Sequence, residues 1–173
     1  EFNVMNAVYA VAAAQACGVD METSLCALEQ FQGTMRRFEN KGVKQGVQYY
    51  DDYAHHPTEI QATLKALREW YPQAKVYAVF QPHTYSRTKA LLKEFSMSFS
   101  DANELFLLDI FASAREEADA NTSSDILAQE LQKNHVQAQN LHSVEQVFEY
   151  LKHEVKPGDV VITLGAGDLY HLH

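Results

Sequence analysis

The sequence predicts an α/β fold built on a parallel sheet with helices on both faces. Short apolar runs without polar alternation, "AKVYAVF", "ELFLLDI" and "GDVVITLG", read as strands buried on both sides. Amphipathic stretches of helical period separate them, and strands that alternate with helices in this way imply right-handed crossovers.

The elements follow in order. Residues Val4 to Ala16 are alanine-rich with no helix breaker, and Gly18 follows as a C-cap. Only "EFN" precedes that helix, so the sequence is expected to be the remainder of a longer chain. A short helix spans Ser24 to Gln30. At "FQGTMRRFENKG" the composition shifts: Gly33 and Asn40–Gly42 mark turns around a strand-like "TMRRFE". The boundary is placed near Gln32, giving a helical segment over 1–32 and a main domain over 33–173. There, strand "GVQYYDD" leads to helix Pro57–Trp70, whose Ile60, Leu64 and Leu67 form one stripe, and then to strand "AKVYAVF". Helix Ser86–Ser100 leads to "ELFLLDI", helix Ser124–Asn134 to a weak strand near Gln137–Leu141, and helix Val144–Glu154 to "GDVVITLG".

Composition narrows the function. The chain has 173 residues, is 46% hydrophobic and carries a formal net charge of −9. Such a chain buries a real core, and its charge disfavours a nonspecific nucleic-acid or anionic-membrane surface. An anionic ligand must be met by local cations. No apolar run approaches the roughly 20 residues that span a bilayer, and no signal-peptide order opens the chain, so a cytoplasmic protein is expected. Cys17 and Cys26 have no metal-type spacing and read as reduced structural thiols.

In parallel sheets ligands bind beyond the carboxyl ends of the strands. "DDYAHH", "QPHTYSR", "DIFASARE" and "GAGDLY" each follow a predicted strand and therefore share one rim. Each also has a plain structural explanation. Pro57 and Glu59 suit a helix start. His55 and Glu59 have metal spacing on a helix, but with no third ligand we assign no metal. Of the adjacent arginines in "MRRFE", a strand would send one to the site and the other to solvent. "GAGD" offers main-chain N–H groups to a ligand, and Asp168 equally reads as a turn cap. "DIFASARE" equally reads as a surface helix start. Arg87 is harder to explain this way, because a cation in a first helical turn opposes the helix dipole unless an anion meets it.

Taken together, "NVMNAVYAVAAA", "FQGTMRRFE", "YYDDYAHHPTEI", "FQPHTYSRTKAL", "LLDIFASARE" and "TLGAGDLY" occur in an order and spacing that resembles the Mur ligases, most closely their alanine-adding members. The resemblance covers nearly the whole chain. It implies the end of a central ATPase domain followed by a Rossmann-like C-terminal domain. No GxxxxGK[ST] phosphate loop occurs in these residues, so the chain alone is expected to fold without hydrolysing ATP. The implied substrates are L-alanine and UDP-N-acetylmuramate, with ATP and Mg²⁺ bound mainly by the central domain. By the same resemblance, Asn3 and Asn6 lie beside the adenine, Asp52 holds the ribose hydroxyls and Arg37 reaches the phosphates. Tyr53, His55, His83 and Arg87 line the amino-acid pocket, with His55 or His83 as proton acceptor. The chain departs from the family pattern at Phe2, where a histidine is usual, and at Thr84, where some members have a further arginine. Two other readings remain: a ligase that recycles the L-Ala-D-Glu-diaminopimelate tripeptide onto the same nucleotide sugar, and a non-catalytic nucleotide-binding module.

Overall fold

A computed structural model describes residues 2–114, 116–167 and 169. The chain separates into two compact units, Glu1–Thr34 and Met35–His173. The first holds α1 (Phe2–Ala16) and α2 (Met21–Gln30). Asp20 caps α2, its carboxylate accepting from Thr23 N at 2.8 Å and Thr23 Oγ1 at 2.8 Å. Cys17 and Cys26 are free and exposed.

The second unit is a six-stranded sheet of β1 (Glu39–Lys44), β2 (Val47–Asp52), β3 (Val76–Phe80), β4 (Glu104–Leu108), β5 (Ala138–His142) and β6 (Val160–Leu164), in the order β1-β2-β6-β3-β4-β5. All neighbours are parallel except β1, which pairs antiparallel with β2. The helices are α3 (Pro57–Trp70), α4 (Tyr85–Ala90), α5 (Leu92–Ser96), α6 (Ser124–Lys133) and α7 (Val144–Glu154).

Alternate residues of β3 divide between two cores. Val76, Ala78 and Phe80 pack with Leu64 and Leu67 of α3, Phe95 of α5 and Leu131 of α6, whereas Tyr77 and Val79 pack with Val147 and Leu151 of α7. This burial on both faces is the reason these strands read as continuous apolar runs.

Three expectations fail locally. "TMRRFE" is not a strand: Arg36 and Phe38 adopt positive φ of 57° and 49°, and pairing begins only at Glu39. Asn40–Gly42 is not a turn but a bulge inside β1, while the turn falls at Gln45 and Gly46, which have φ of 52° and 81°. The helix expected over Ser86–Ser100 is two short helices, broken at Leu91 (φ −113°, ψ 22°). Among the described residues no helix is long and apolar enough to cross a membrane.

Candidate functional site

Register sets the rim. Leu164 of β6 stands level with Asp52 of β2 on one side and Phe80 of β3 on the other. The chain therefore leaves these strands side by side at Tyr53, Gly165 and Gln81. Two further bonds continue the ladder past the strand ends: Gly165 N donates to Asp52 O at 3.2 Å, and Gln81 N donates to Leu164 O at 3.1 Å.

The β2 end is built around a buried ion pair. Asp51 is 1% exposed; it accepts from Arg36 Nε at 3.2 Å and from Thr163 Oγ1 at 2.6 Å. Arg36 also donates through Nη2 to Gly165 O at 2.6 Å and through its main-chain N to Glu39 at 2.8 Å. Arg36 is thus an anchor and not a solvated arginine, as the strand reading of "MRRFE" required of one of the pair. Positive φ at Arg36 turns the chain so that both guanidinium groups stay near Tyr53, at 5.1 Å for Arg36 and 5.8 Å for Arg37 from the ring centroid. Arg37 is exposed and has no carboxylate partner among the described residues.

Asp52 is 8% exposed. It accepts from Ala54 N at 2.7 Å and Phe38 N at 2.8 Å, with Thr63 Oγ1 at 3.4 Å. Burial pushes its carboxyl above the usual range, against the pull of those amides and of Arg37. Both of its oxygens thus bind the chain itself and fix the turn that carries Arg37.

His55 and His56 open α3. Thr58 N donates to His56 Nδ1 at 3.3 Å, and Glu59 accepts from the main-chain N of His55 at 3.0 Å and of His56 at 3.1 Å. Desolvation works against ionisation of Glu59, but these amides and the charges of His55 and Arg37 hold it below the ordinary range. The plain helix-start reading therefore accounts for His56 and Glu59. It leaves the His55 ring, whose Nδ1 lies 2.9 Å from Tyr53 O and whose plane meets Tyr53 edge-on at 5.1 Å. That bond places the proton on Nδ1 and leaves Nε2 as an acceptor.

After β3, Thr84 caps α4 and the guanidinium of Arg87 donates from Nη1 to His83 O at 2.6 Å. The anion that this helix start calls for comes from the protein itself. Glu116 accepts from Tyr85 N at 2.9 Å and Ser86 N at 2.8 Å; the Ser86 hydroxyl first, and then these amides, hold its carboxyl below the ordinary range against desolvation. Glu116 thus satisfies the main-chain amides and not the guanidinium, so Arg87 has no carboxylate partner among the described residues. The β4–α6 loop is fastened to this segment elsewhere too: Phe111 N donates to Pro82 O at 2.9 Å, the Phe111 ring lies 5.8 Å from His83, and Lys89 pairs with Asp119 at 2.8 Å. Sequence reasoning put the segment that ends at Glu116 on the rim but gave Glu116 no role there, because its partners lie about thirty residues upstream.

Burial lowers the pKa of His83, and the charges of Arg87 and His55 add to the effect, with only Glu116 opposing. The ring is neutral at neutral pH. An NMR titration of the His83 imidazole is therefore expected to give a midpoint below the ordinary value of about 6.5. Because the folded state resists charging this ring, stability falls as pH drops from about 6.5 through that lowered midpoint.

The "GAG" turn does not behave as a free nest of amides. Gly165 N is bonded to Asp52 O, and a side chain there would strike Gln81 O at 2.7 Å while Gly165 holds φ 136°. A Cβ on Gly167 would collide with Gln81 Oε1. The glycines make room for Gln81, a residue the sequence reading passed over. Asp168, read as a turn cap, lies outside the described residues, as do Arg115 of "DIFASARE" and Tyr170–His173. Asn3 and Asn6 are exposed on α1, one turn apart in the first unit.

Of the residues marked by sequence, the structure brings Arg37, Tyr53 and His55 together at the β2 end and His83 with Arg87 at the β3 end. A proton on His55 would disfavour one on His83, so the two groups are electrostatically coupled.

Residues 36–167 match the family described as Mur ligase, glutamate ligase domain. A UDP-N-acetylmuramate–L-alanine ligase of Clostridium acetobutylicum is 48% identical over 98% of this chain, which spans 37% of that relative's length. The crystal structure of a UDP-N-acetylmuramate-alanine ligase from Thermotoga maritima is similar with a TM-score of 0.81 and 25% identity, covering 99% of this chain and 36% of that one. A murein peptide ligase from Psychrobacter arcticus is similar with a TM-score of 0.71 and 25% identity over 99% of this chain and 35% of its own. On the family match, which spans the whole sheet and its rim, this chain belongs to the Mur ligase family.

Proposed function

We propose that the chain is the carboxyl-terminal part of an ATP-dependent ligase that joins L-alanine to the carboxylate of UDP-N-acetylmuramate through an acyl phosphate in peptidoglycan synthesis. The observation that carries this reading is Arg87, a half-buried guanidinium with one main-chain acceptor and no carboxylate, beside a neutral His83. That arrangement suits a small ligand bearing a carboxylate. The 48% identity to an alanine-adding relative supports the same substrate.

In this reading residues 1–32 close the ATP-binding domain and 33–173 form the amino-acid domain. Asn3 and Asn6 face the adenine and Asp52 the ribose. Arg37 meets the phosphate oxygens with an exposed guanidinium whose charge also acts on Asp52 and Glu59. Mg²⁺ neutralises charge on the transferring phosphoryl group and is assigned to the rest of the enzyme. Arg87 holds the alanine carboxylate, and Tyr53 and His55 wall the methyl pocket. The amine attacks the acyl carbon, the C–N bond forms, phosphate leaves with the electrons of the C–O bond, and His55 Nε2 accepts the amine proton. A pocket that selects a methyl group discriminates by only about 1–3 kcal/mol, so glycine and serine are expected as poor substrates.

The test is phosphate release by the full-length enzyme with ATP, Mg²⁺ and UDP-N-acetylmuramate, offering L-alanine, glycine, L-serine and the L-Ala-D-Glu-diaminopimelate tripeptide in parallel. Preference for L-alanine is the expected result. Turnover of the tripeptide alone would identify a recycling ligase instead, and no turnover with any of them would favour a nucleotide-binding module.

A further inference from the structure

Arg87 stands on α4, a helix of only 6 residues. A helix that short does not hold itself in water, where roughly 12–15 residues are needed for even marginal stability, so its direction is set by what grips it. Its own cap is weak: Thr84 Oγ1 accepts from Arg87 N at 3.4 Å, at the long end of a hydrogen bond. The first amides of α4 are taken by another segment, since Glu116 accepts from Tyr85 N at 2.9 Å through Oε2 and from Ser86 N at 2.8 Å through Oε1. Glu116 belongs to the β4–α6 connection, 109–123, whose described residues contain no helix or strand. A connection that long without secondary structure is uncommon and usually functional. It grips the Arg87 segment on both sides. Phe111 N donates to Pro82 O at 2.9 Å before the helix, and Lys89 Nζ, near its end, donates to Asp119 at 2.8 Å. Asp119 is itself held by Asn121 N at 2.9 Å and Thr122 Oγ1 at 3.1 Å, and Glu116 is aimed by its own N–H, which donates to Ser113 O at 3.0 Å.

We propose that Glu116 is the positioning residue for Arg87: by holding the start of α4 from the β4–α6 loop, it fixes where the guanidinium points and so sets amino-acid affinity without touching the ligand. This assignment rests on the amino-acid reading of the rim. A two-point contact with a carboxylate demands direction as well as charge. Arg87 follows directly on the two residues whose amides Glu116 holds, so loosening those amides turns the main chain from which the Arg87 side chain leaves. The bond from Nη1 to His83 O at 2.6 Å fixes one edge of the guanidinium, and Glu116 fixes the backbone behind it. Each oxygen of Glu116 takes one amide, so this carboxylate steadies Arg87 without competing for it.

Glu116→Ala in the full-length enzyme is expected to raise KM for L-alanine about tenfold, with kcat and the KM values for ATP and UDP-N-acetylmuramate within about twofold of wild type. Glu116→Gln keeps one acceptor oxygen for two amides, so a smaller rise is expected. The decisive readout is Glu116→Ala combined with Arg87→Ala. Because Glu116 acts through Arg87, its removal in that background is expected to change kcat/KM for L-alanine by less than about twofold. An unchanged KM for L-alanine in Glu116→Ala, or a tenfold loss repeated in the Arg87→Ala background, would overturn the assignment. So would a rise in all three KM values together with a lowered Tm, which a merely structural carboxylate would give. If Arg87→Ala alone left KM for L-alanine unchanged, the amino-acid reading would fail and this assignment with it, whereas an additive loss would sink the assignment alone, so the two failures are distinguishable.

Discussion

Arg87→Ala in the full-length ligase is expected to raise KM for L-alanine roughly 100-fold while leaving KM for ATP and for the nucleotide sugar within about twofold. Arg87 gives one N–H to His83 O at 2.6 Å and keeps its other donors for a ligand. Glu116, from the β4–α6 loop, is occupied by the amides of Tyr85 and Ser86. A two-point contact between guanidinium and carboxylate in a half-buried site is worth about 3 kcal/mol, and about 1.4 kcal/mol corresponds to tenfold in affinity. Arg87→Lys keeps the charge but not the fork, so an intermediate loss is expected. Steady-state kinetics with each substrate varied in turn reads the effect, and a Tm close to wild type separates it from unfolding. A proportional rise in all three KM values would assign Arg87 to the scaffold.

The second large effect concerns stability. Asp51 is 1% exposed and is held by Arg36 at 3.2 Å and by Thr163 at 2.6 Å. Removing the cation leaves a buried carboxylate with its charge uncompensated, which costs about 3–5 kcal/mol. Arg36→Ala is therefore expected to lower unfolding free energy by about that amount, read as a shift in urea midpoint at constant m-value. Asp51→Asn with Arg36→Met removes both charges together and should recover part of the loss. The loss in Arg36→Ala should extend to nucleotide affinity, because Arg36 carries the turn on which Arg37 stands: Tyr53 N donates to Arg36 O at 2.7 Å, and Phe38 N to Asp52 at 2.8 Å. A stability change under about 1 kcal/mol would mean that Asp51 is relieved by solvent or proton uptake.

Much of this architecture was legible in the sequence. α3 and α7 declare themselves by a clear apolar stripe and by capping residues, Glu59 with His56 in one and Ser143 in the other. β3 and β6 do so by unbroken apolar runs, because both faces are covered. β1 was hidden: "ENKGVK" is an exposed edge strand with a bulge, so it has neither a buried face nor alternation to show. "TMRRFE" misled because its β-like composition is overridden by left-handed backbone at Arg36 and Phe38, held by the amide of Phe38 on Asp52 and the guanidinium of Arg36 on Asp51. The break at Leu91 carries no glycine or proline and so gave no signal.

At the site, the local motifs at Tyr53–His55 and His83–Arg87 were readable because polar residues cluster directly after strands. What sequence did not give was their partners. Glu116 comes from the next crossover loop, and the packing of Gln81 emerges only when Gly165 and Gly167, some eighty residues later, are seen around it. Those relations arise from the β2-β6-β3-β4 strand order, which places distant segments side by side.

The central claim is that the rim after β3 holds the amino acid by its carboxylate. The most direct measurement is a crystal structure of the full-length enzyme with UDP-N-acetylmuramoyl-L-alanine bound, in which the alanyl carboxylate is located relative to Arg87. Both carboxylate oxygens are expected within about 2.7–2.9 Å of the Arg87 guanidinium, with the methyl group facing Tyr53 and His55. A carboxylate seated away from Arg87, on Arg37 or in the first unit, would contradict it.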